Sequence, residues 1–123
     1  MKYLLLIHLD EPQMKAMPRR DYVALVDEHL VYDDELRANG QMVATEALED
    51  AKDGIVVRVR DGKVSTTDGP FAETKEQLGG FYLVEARDLN EAIQLAARIP
   101  AARLGSVEVR PVREFVPGTD YPQ

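Results

Sequence analysis

The run Tyr3-Leu4-Leu5-Leu6-Ile7 sets five consecutive apolar side chains at the start of the sequence, and the polar stretch Asp10-Glu11-Pro12 follows soon after. A run of this length is too short for a helix and predicts a buried strand, central in its sheet. It is also shorter than the ~7–15 apolar residues of a secretory signal core, no small-residue cleavage site follows it, and no other segment approaches the ~20 apolar residues of a membrane span. The rest of the chain has to cover that strand.

The segments that follow supply the cover. Pro18 precedes a helical pattern from about Arg19 to Asn39 that Gly40 stops, and Met42 to Leu48 reads as a second strand. Ile55 to Arg60 alternates apolar and charged residues, Asp61-Gly62 is a strong two-residue hairpin signal, and Lys63 to Thr67 returns as the partner strand. A polar loop from Asp68 to Leu78 leads to an apolar strand from Phe81 to Ala86. Asp88-Leu89-Asn90-Glu91 is a capping box, with Glu91 expected to reach back to the cap. The helix it opens repeats Leu89, Ala92, Ile93, Ala96 and Ile99 at spacings of three and four and ends at Pro100. Ser106 to Val112 alternates as the last strand, and Pro117 to Gln123 reads as a loose tail.

This order predicts an α+β fold: a ferredoxin-like βαβ-βαβ sandwich with an extra β-hairpin, one domain over residues 1–115 with a tail at 116–123. Both helices are expected on one sheet face. The other face then needs a partner, and a homodimer closing two sheets face to face is the commonest remedy. Composition narrows the partners further. A formal charge of −7, from 22 acidic against 15 basic side chains, repels a phosphate backbone, because Arg58, Arg60, Arg110 and Arg113 are balanced by Asp61, Glu108 and Glu114. With no cysteine there is no disulfide, thiolate nucleophile or cysteine-zinc site, in keeping with a reducing cytoplasmic setting.

The residues that can carry chemistry concentrate on the first long helix. At 100° per residue, Tyr22, Leu25, Val26 and Leu36 define an apolar stripe, and His29 and Asp33 fall in its middle, one turn apart. Pairing would keep Asp33 ionised and make His29 a general base near neutral pH; the alternative is a core histidine satisfied by an interior ion pair. His8 at the end of the first strand is a second acid-base candidate, and Glu46 interrupts an otherwise apolar strand. In the polar loop, Asp68 either caps the turn made by Gly69 and Pro70 or projects a carboxylate into a pocket beside His29. Phe71 is expected to pack inward and hold that loop, and Glu73 to Glu76 read either as a solvated charge run or as one from which Lys75 neutralises an anionic ligand. Two histidines without cysteine match no zinc motif, no glycine loop leads from a strand into a helix, and no serine sits in a nucleophile elbow, so neither a metal nor a cofactor is expected.

The stretch Asp68-Gly69-Pro70-Phe71-Ala72-Glu73-Thr74-Lys75-Glu76-Gln77-Leu78-Gly79-Gly80-Phe81-Tyr82-Leu83-Val84-Glu85 resembles the signature of DGPF-motif proteins in the YCII-related superfamily. The likeness continues through Ala97-Arg98-Ile99-Pro100-Ala101-Ala102 and Gly105-Ser106-Val107-Glu108-Val109-Arg110-Pro111-Val112. It implies a ferredoxin-like dimeric α/β barrel and a histidine-aspartate pair working in acid-base chemistry on a small molecule, as in relatives acting on chlorinated aromatics. It also favours the pocket role for Asp68 and implies a glycine where Thr45 stands. Two functions follow: a cofactor-independent lyase, isomerase or dehydrochlorinase-like enzyme using His29, Asp33 and Asp68, or a non-enzymatic ligand-sensing or partner-binding dimer tied to an extracytoplasmic-function sigma factor.

Overall fold

The computed structural model describes residues 1–119, so 120–123 of the expected tail lie outside the described residues. Six strands and three helices occur in the order β1 (Lys2–Leu9), α1 (Glu11–Ala16), α2 (Arg19–Ala38), β2 (Met42–Ala47), β3 (Ile55–Arg60), β4 (Lys63–Asp68), β5 (Gln77–Glu85), α3 (Leu89–Ala97) and β6 (Ser106–Pro111). Four strands form one antiparallel sheet in the order β2-β5-β1-β6, and β3 with β4 forms a separate two-stranded sheet. The strand order, together with the helices after β1 and β5, is compatible with a ferredoxin-like fold, with the β3-β4 hairpin inserted before the third strand of the plan. The apolar run of β1 is central as expected, paired on one side with β5 and on the other with β6.

Alternation along β1 and β5 sorts the sheet's two faces. Tyr3, Leu5, Ile7, Tyr82 and Val84 point into the core, where they meet Tyr32 and Leu36 of α2 and Ala92, Leu95 and Ala96 of α3, with Ile99 just beyond. Leu4 faces Leu83 and Leu6 faces Phe81 across the ladder on the opposite face, and all four are only half-buried. Packing selects a different stripe on α3 from the one its spacing suggests. Ala92, Leu95, Ala96 and Ile99 are buried, while Leu89 and Ile93 are half exposed. Small alanines let that helix lie close to the sheet.

Several boundaries differ from the sequence expectation for identifiable reasons. The polar stretch after β1 is not an open turn but the start of α1: the Asp10 carboxylate accepts from the Gln13 amide at 3.1 Å, and Pro12 occupies a first-turn position where its missing N–H costs nothing. Asp88 caps α3 by accepting from Glu91 N at 2.9 Å, but the Glu91 carboxylate takes the Arg87 amide at 3.0 Å and not the amide of the cap residue. Pro100 ends α3 and at once opens a 3₁₀ turn, Pro100–Arg103. At the hairpin tip Asp61 (φ 51°) and Gly62 (φ 74°) are both left-handed, as a primed two-residue turn requires. Its apolar residues Ile55, Val57, Val59 and Val64 find no cover among the described residues and are all exposed.

β5 starts at Gln77, ahead of the Phe81 start that apolar content suggested, because Gly79 and Gly80 lie inside the strand and not before it. A Cβ on Gly80 would come within 2.8 Å of the Glu46 carbonyl oxygen, and one on Gly105 within 2.1 Å of the His8 carbonyl oxygen. Backbone approaches backbone at both places, so the missing side chain is a packing requirement. Gly105→Ala is therefore expected to destabilise the protein by about 3 kcal/mol, at the upper end of ordinary overpacking. Gly80→Ala, against the movable edge strand β2, is expected to cost less. Thermal melts of the two variants check the order, and equal melting temperatures for wild type and Gly105→Ala would contradict the close approach.

Candidate functional site

Helix α2 carries His29 and Asp33 over the sheet, as its wheel predicts, yet the two do not bond to each other directly. Tyr82, from the centre of β5, stands between them. Its hydroxyl donates to Asp33 Oδ1 in a short hydrogen bond, and its oxygen lies 3.1 Å from His29 Nδ1. Asp33 is 8% exposed and is the one buried carboxylate among the described residues, so this donor satisfies a group that burial would otherwise penalise. Tyr32 packs beside the group with its hydroxyl donating to the Leu95 carbonyl oxygen at 2.7 Å, and burial pushes its phenol up to about 12.

Hydrogen counting fixes the direction of the chain. Tyr82 has one hydroxyl hydrogen, and Asp33 receives it, so towards His29 the tyrosine oxygen can only accept. Neutral His29 therefore carries its hydrogen on Nδ1, and Nε2 keeps a free lone pair. The Tyr82 phenol is held far above its ordinary value, first by burial and then by the bond to Asp33, so it remains a neutral connector. Burial also lowers His29 below 6.5; the charges of Asp33 and Glu28 oppose this and Arg103 reinforces it. The product is an imidazole that is unprotonated at neutral pH with a defined basic nitrogen.

His29, Asp33 and Tyr82 line a cavity of about 670 Å³ between α1, α2 from Arg19 to Asp33 and the β2-β5 edge of the sheet. Its walls are mostly apolar, from Ile7, Leu9, Met14, Met17, Leu25, Val26 and Leu30. Thr45, where the resemblance implied a glycine, also lines it and donates its hydroxyl to the Phe81 carbonyl oxygen at 2.9 Å. Glu46 contributes at the cavity's edge, but it sits opposite Phe81 in the ladder, in the row that faces away from the helices.

The other expected site residues lie elsewhere. Asp68 ends β4 opposite Ile55, is exposed, and does not line the cavity with His29, so a second carboxylate beside the histidine is not what the fold builds. Its carboxylate caps nothing among the described residues either. Phe71 does not pack inward: it is 84% exposed and borders a second hollow of about 640 Å³ that His8, Gly69 and Pro70 also line. The loop is instead held by Gly69 N on the Gly54 carbonyl oxygen at 2.8 Å and by the Gln77 amide, which donates to the carbonyl oxygens of Ala72 at 2.8 Å and Thr74 at 3.1 Å. His8 Nε2 lies 3.6 Å from Glu108 Oε1 on the outer sheet face, and Lys75 is exposed on the loop. Among the described residues no three carboxylate or imidazole side chains converge as metal ligands do. Tyr82 was the residue missed, although its alternation with Val84 in a strand marked it as inward facing, and a buried phenol needs a partner.

The titration of His29 follows from this geometry. Its folded-state value lies below 6.5, so between that value and 6.5 the unfolded chain binds more protons. Stability from this group is fully present above pH 6.5 and falls as pH drops through the window. His29→Gln should flatten that part of the stability-pH curve, and Asp33→Asn should lower the imidazole midpoint further by removing the attracting charge. Histidine NMR and pH-dependent melts check both, and an unchanged midpoint in Asp33→Asn would refute the chain of bonds.

A curated relative, an uncharacterized protein of Rhizobium meliloti (strain 1021), is 49% identical over 59 residues, which cover 46% of this chain and 48% of that protein. The match thus spans about half the length of the relative. The YCII-related domain family matches residues 1–116, nearly all of the described chain, and the protein belongs to that family.

Proposed function

We propose that the chain is a cofactor-independent acid-base enzyme acting on a small molecule, of the lyase, isomerase or dehydrochlorinase-like kind. The observation that carries this reading is the His29-Tyr82-Asp33 chain on the wall of an apolar cavity, because it directs one free nitrogen lone pair of a neutral imidazole at whatever binds there. In the reaction His29 Nε2 takes a proton from the substrate and becomes an imidazolium, while Asp33, acting through Tyr82, offsets the new charge and keeps the ring oriented. The electron pair left on the substrate then either expels a leaving group or is reprotonated at a neighbouring atom by the same imidazolium. Asp33 and Tyr82 are positioning residues in this scheme, and Asp68 has no part in it.

The outer sheet face supports a homodimer in the manner of a dimeric α/β barrel. Leu4, Leu6, Phe81 and Leu83 form an apolar patch on the face opposite the helices, and a second copy of the same patch is its natural complement. The exposed apolar row of the hairpin favours a further reading in which the dimer binds a partner protein, such as a sigma factor, with the cavity sensing a ligand. A cytoplasmic setting suits both readings.

Deuterium incorporation from D₂O into a panel of small phenols and keto acids, followed by proton NMR, tests the enzyme. Wild type is expected to catalyse exchange in at least one compound, with a rate that rises through a midpoint below pH 6.5 and is level at neutral pH. His29→Gln should lose ~10²–10⁴-fold, the usual worth of a general base, while Asp68→Asn should leave the rate unchanged. Exchange that survives His29→Gln would end the proposal. For the dimer, sedimentation at micromolar concentration should give twice the 13.8 kDa chain mass for wild type and the single chain for Leu83→Glu.

A further inference from the structure

The charged groups around the cavity say what class of molecule it takes. Glu11 is occupied by the Ala51 amide, which it accepts at 2.8 Å, and Lys15 is neutralised by Asp50 at 2.6 Å. Asp33 is occupied by Tyr82, and Glu46 lies in the outward row of its strand. Arg19 remains. It lines the cavity at the first residue of α2 and makes no ion pair or hydrogen bond with its side chain among the described residues. The end of the helix around it also lacks a side-chain cap, although Asp21 in the same turn offsets part of its positive field.

Resting on the acid-base reading of the same cavity, we infer that Arg19 is its specificity-determining residue and that the substrate is a small organic acid: an apolar body carrying one anionic group. A guanidinium offers a planar pair of donors that matches a carboxylate or sulfonate, and exposure at the cavity mouth leaves it free to be used. The unbranched side chains of Met14 and Met17 give the adjoining wall an adaptable apolar lining for the body of the ligand. Arg19 and His29 are ten residues apart on α2, about 15 Å along the axis, so the anionic group is held at one end of the cavity and the labile proton is offered to His29 at the other. An organic cation would face the unpaired guanidinium and find the inward carboxylates already engaged. An uncharged molecule would leave the guanidinium unused.

The test uses 8-anilinonaphthalene-1-sulfonate and its uncharged counterpart N-phenyl-1-naphthylamine as probes, by fluorescence titration of the full chain with His29 ring resonances monitored by NMR. The sulfonate is expected to bind wild type and shift the His29 resonances. Arg19→Gln should weaken it by about tenfold or more, as for a lost charge-assisted bond, with Arg19→Lys intermediate. Arg20→Gln, which removes the same charge from a residue that does not line the cavity, should change its affinity by no more than about twofold. The uncharged probe should bind wild type and Arg19→Gln alike. Equal sulfonate affinity in wild type and Arg19→Gln, or binding that leaves the His29 resonances unmoved, overturns the inference whatever the deuterium exchange shows. If the sulfonate depends on Arg19 while no compound exchanges, Arg19 stands as the cavity's anion-binding residue and the enzymatic reading fails.

Discussion

A carboxylate held under a sheet has to be given a donor, and in this protein the donor is a tyrosine from the sheet itself. The bond from Tyr82 to Asp33 ties the middle of α2 to the middle of β5, two elements far apart in sequence, through one hydroxyl. Around it the core closes: Leu5, Tyr32, Leu36 and Val84 are all buried close by. Breaking a partner out of such a group leaves an uncompensated polar atom in an apolar surround, which costs more than the bond itself is worth. The same hydroxyl also decides which nitrogen of His29 is basic. Structural satisfaction and chemical orientation are here a single arrangement, so a substitution at Tyr82 is felt in both.

Much of the fold was legible in the sequence because local signals agreed with one another. The apolar run of β1, the Asp88 cap of α3 and the Asp61-Gly62 turn each state their own geometry. What failed had two physical origins. Gly79 and Gly80 carry no strand propensity, so β5 looked shorter than it is, and only the approach of Leu9 to Gly79 and of β2 to Gly80 explains why side chains are absent there. Helix α1 is six residues long and owes its existence to one aspartate cap and a well-placed proline, signals too local to outweigh polar composition.

The candidate site was legible in half. A wheel places His29 and Asp33 on one stripe, since that depends on one element alone. It cannot supply Tyr82, which arrives through the pairing of β5 with β1, nor can it exclude Asp68, whose distance from His29 depends on where the hairpin goes. Phe71 shows the same limit from the other side. A large apolar residue in a polar loop suggests an anchor, but the loop is anchored by backbone and by the Gln77 amide. Contacts between elements were the missing information throughout.

The hairpin has a consequence of a different kind. β3 and β4 bond to each other and not to the main sheet, and their apolar side chains gain nothing from the core. Two strands alone are marginally stable in water, so this unit is expected to open without the rest of the chain opening. In an isolated chain its amides would exchange with solvent orders of magnitude faster than those of β1, and the first proteolytic cut would fall there. Any surface that lies against Val57 and Val59 would reverse that order, making the slowing of hairpin exchange a direct gauge of assembly.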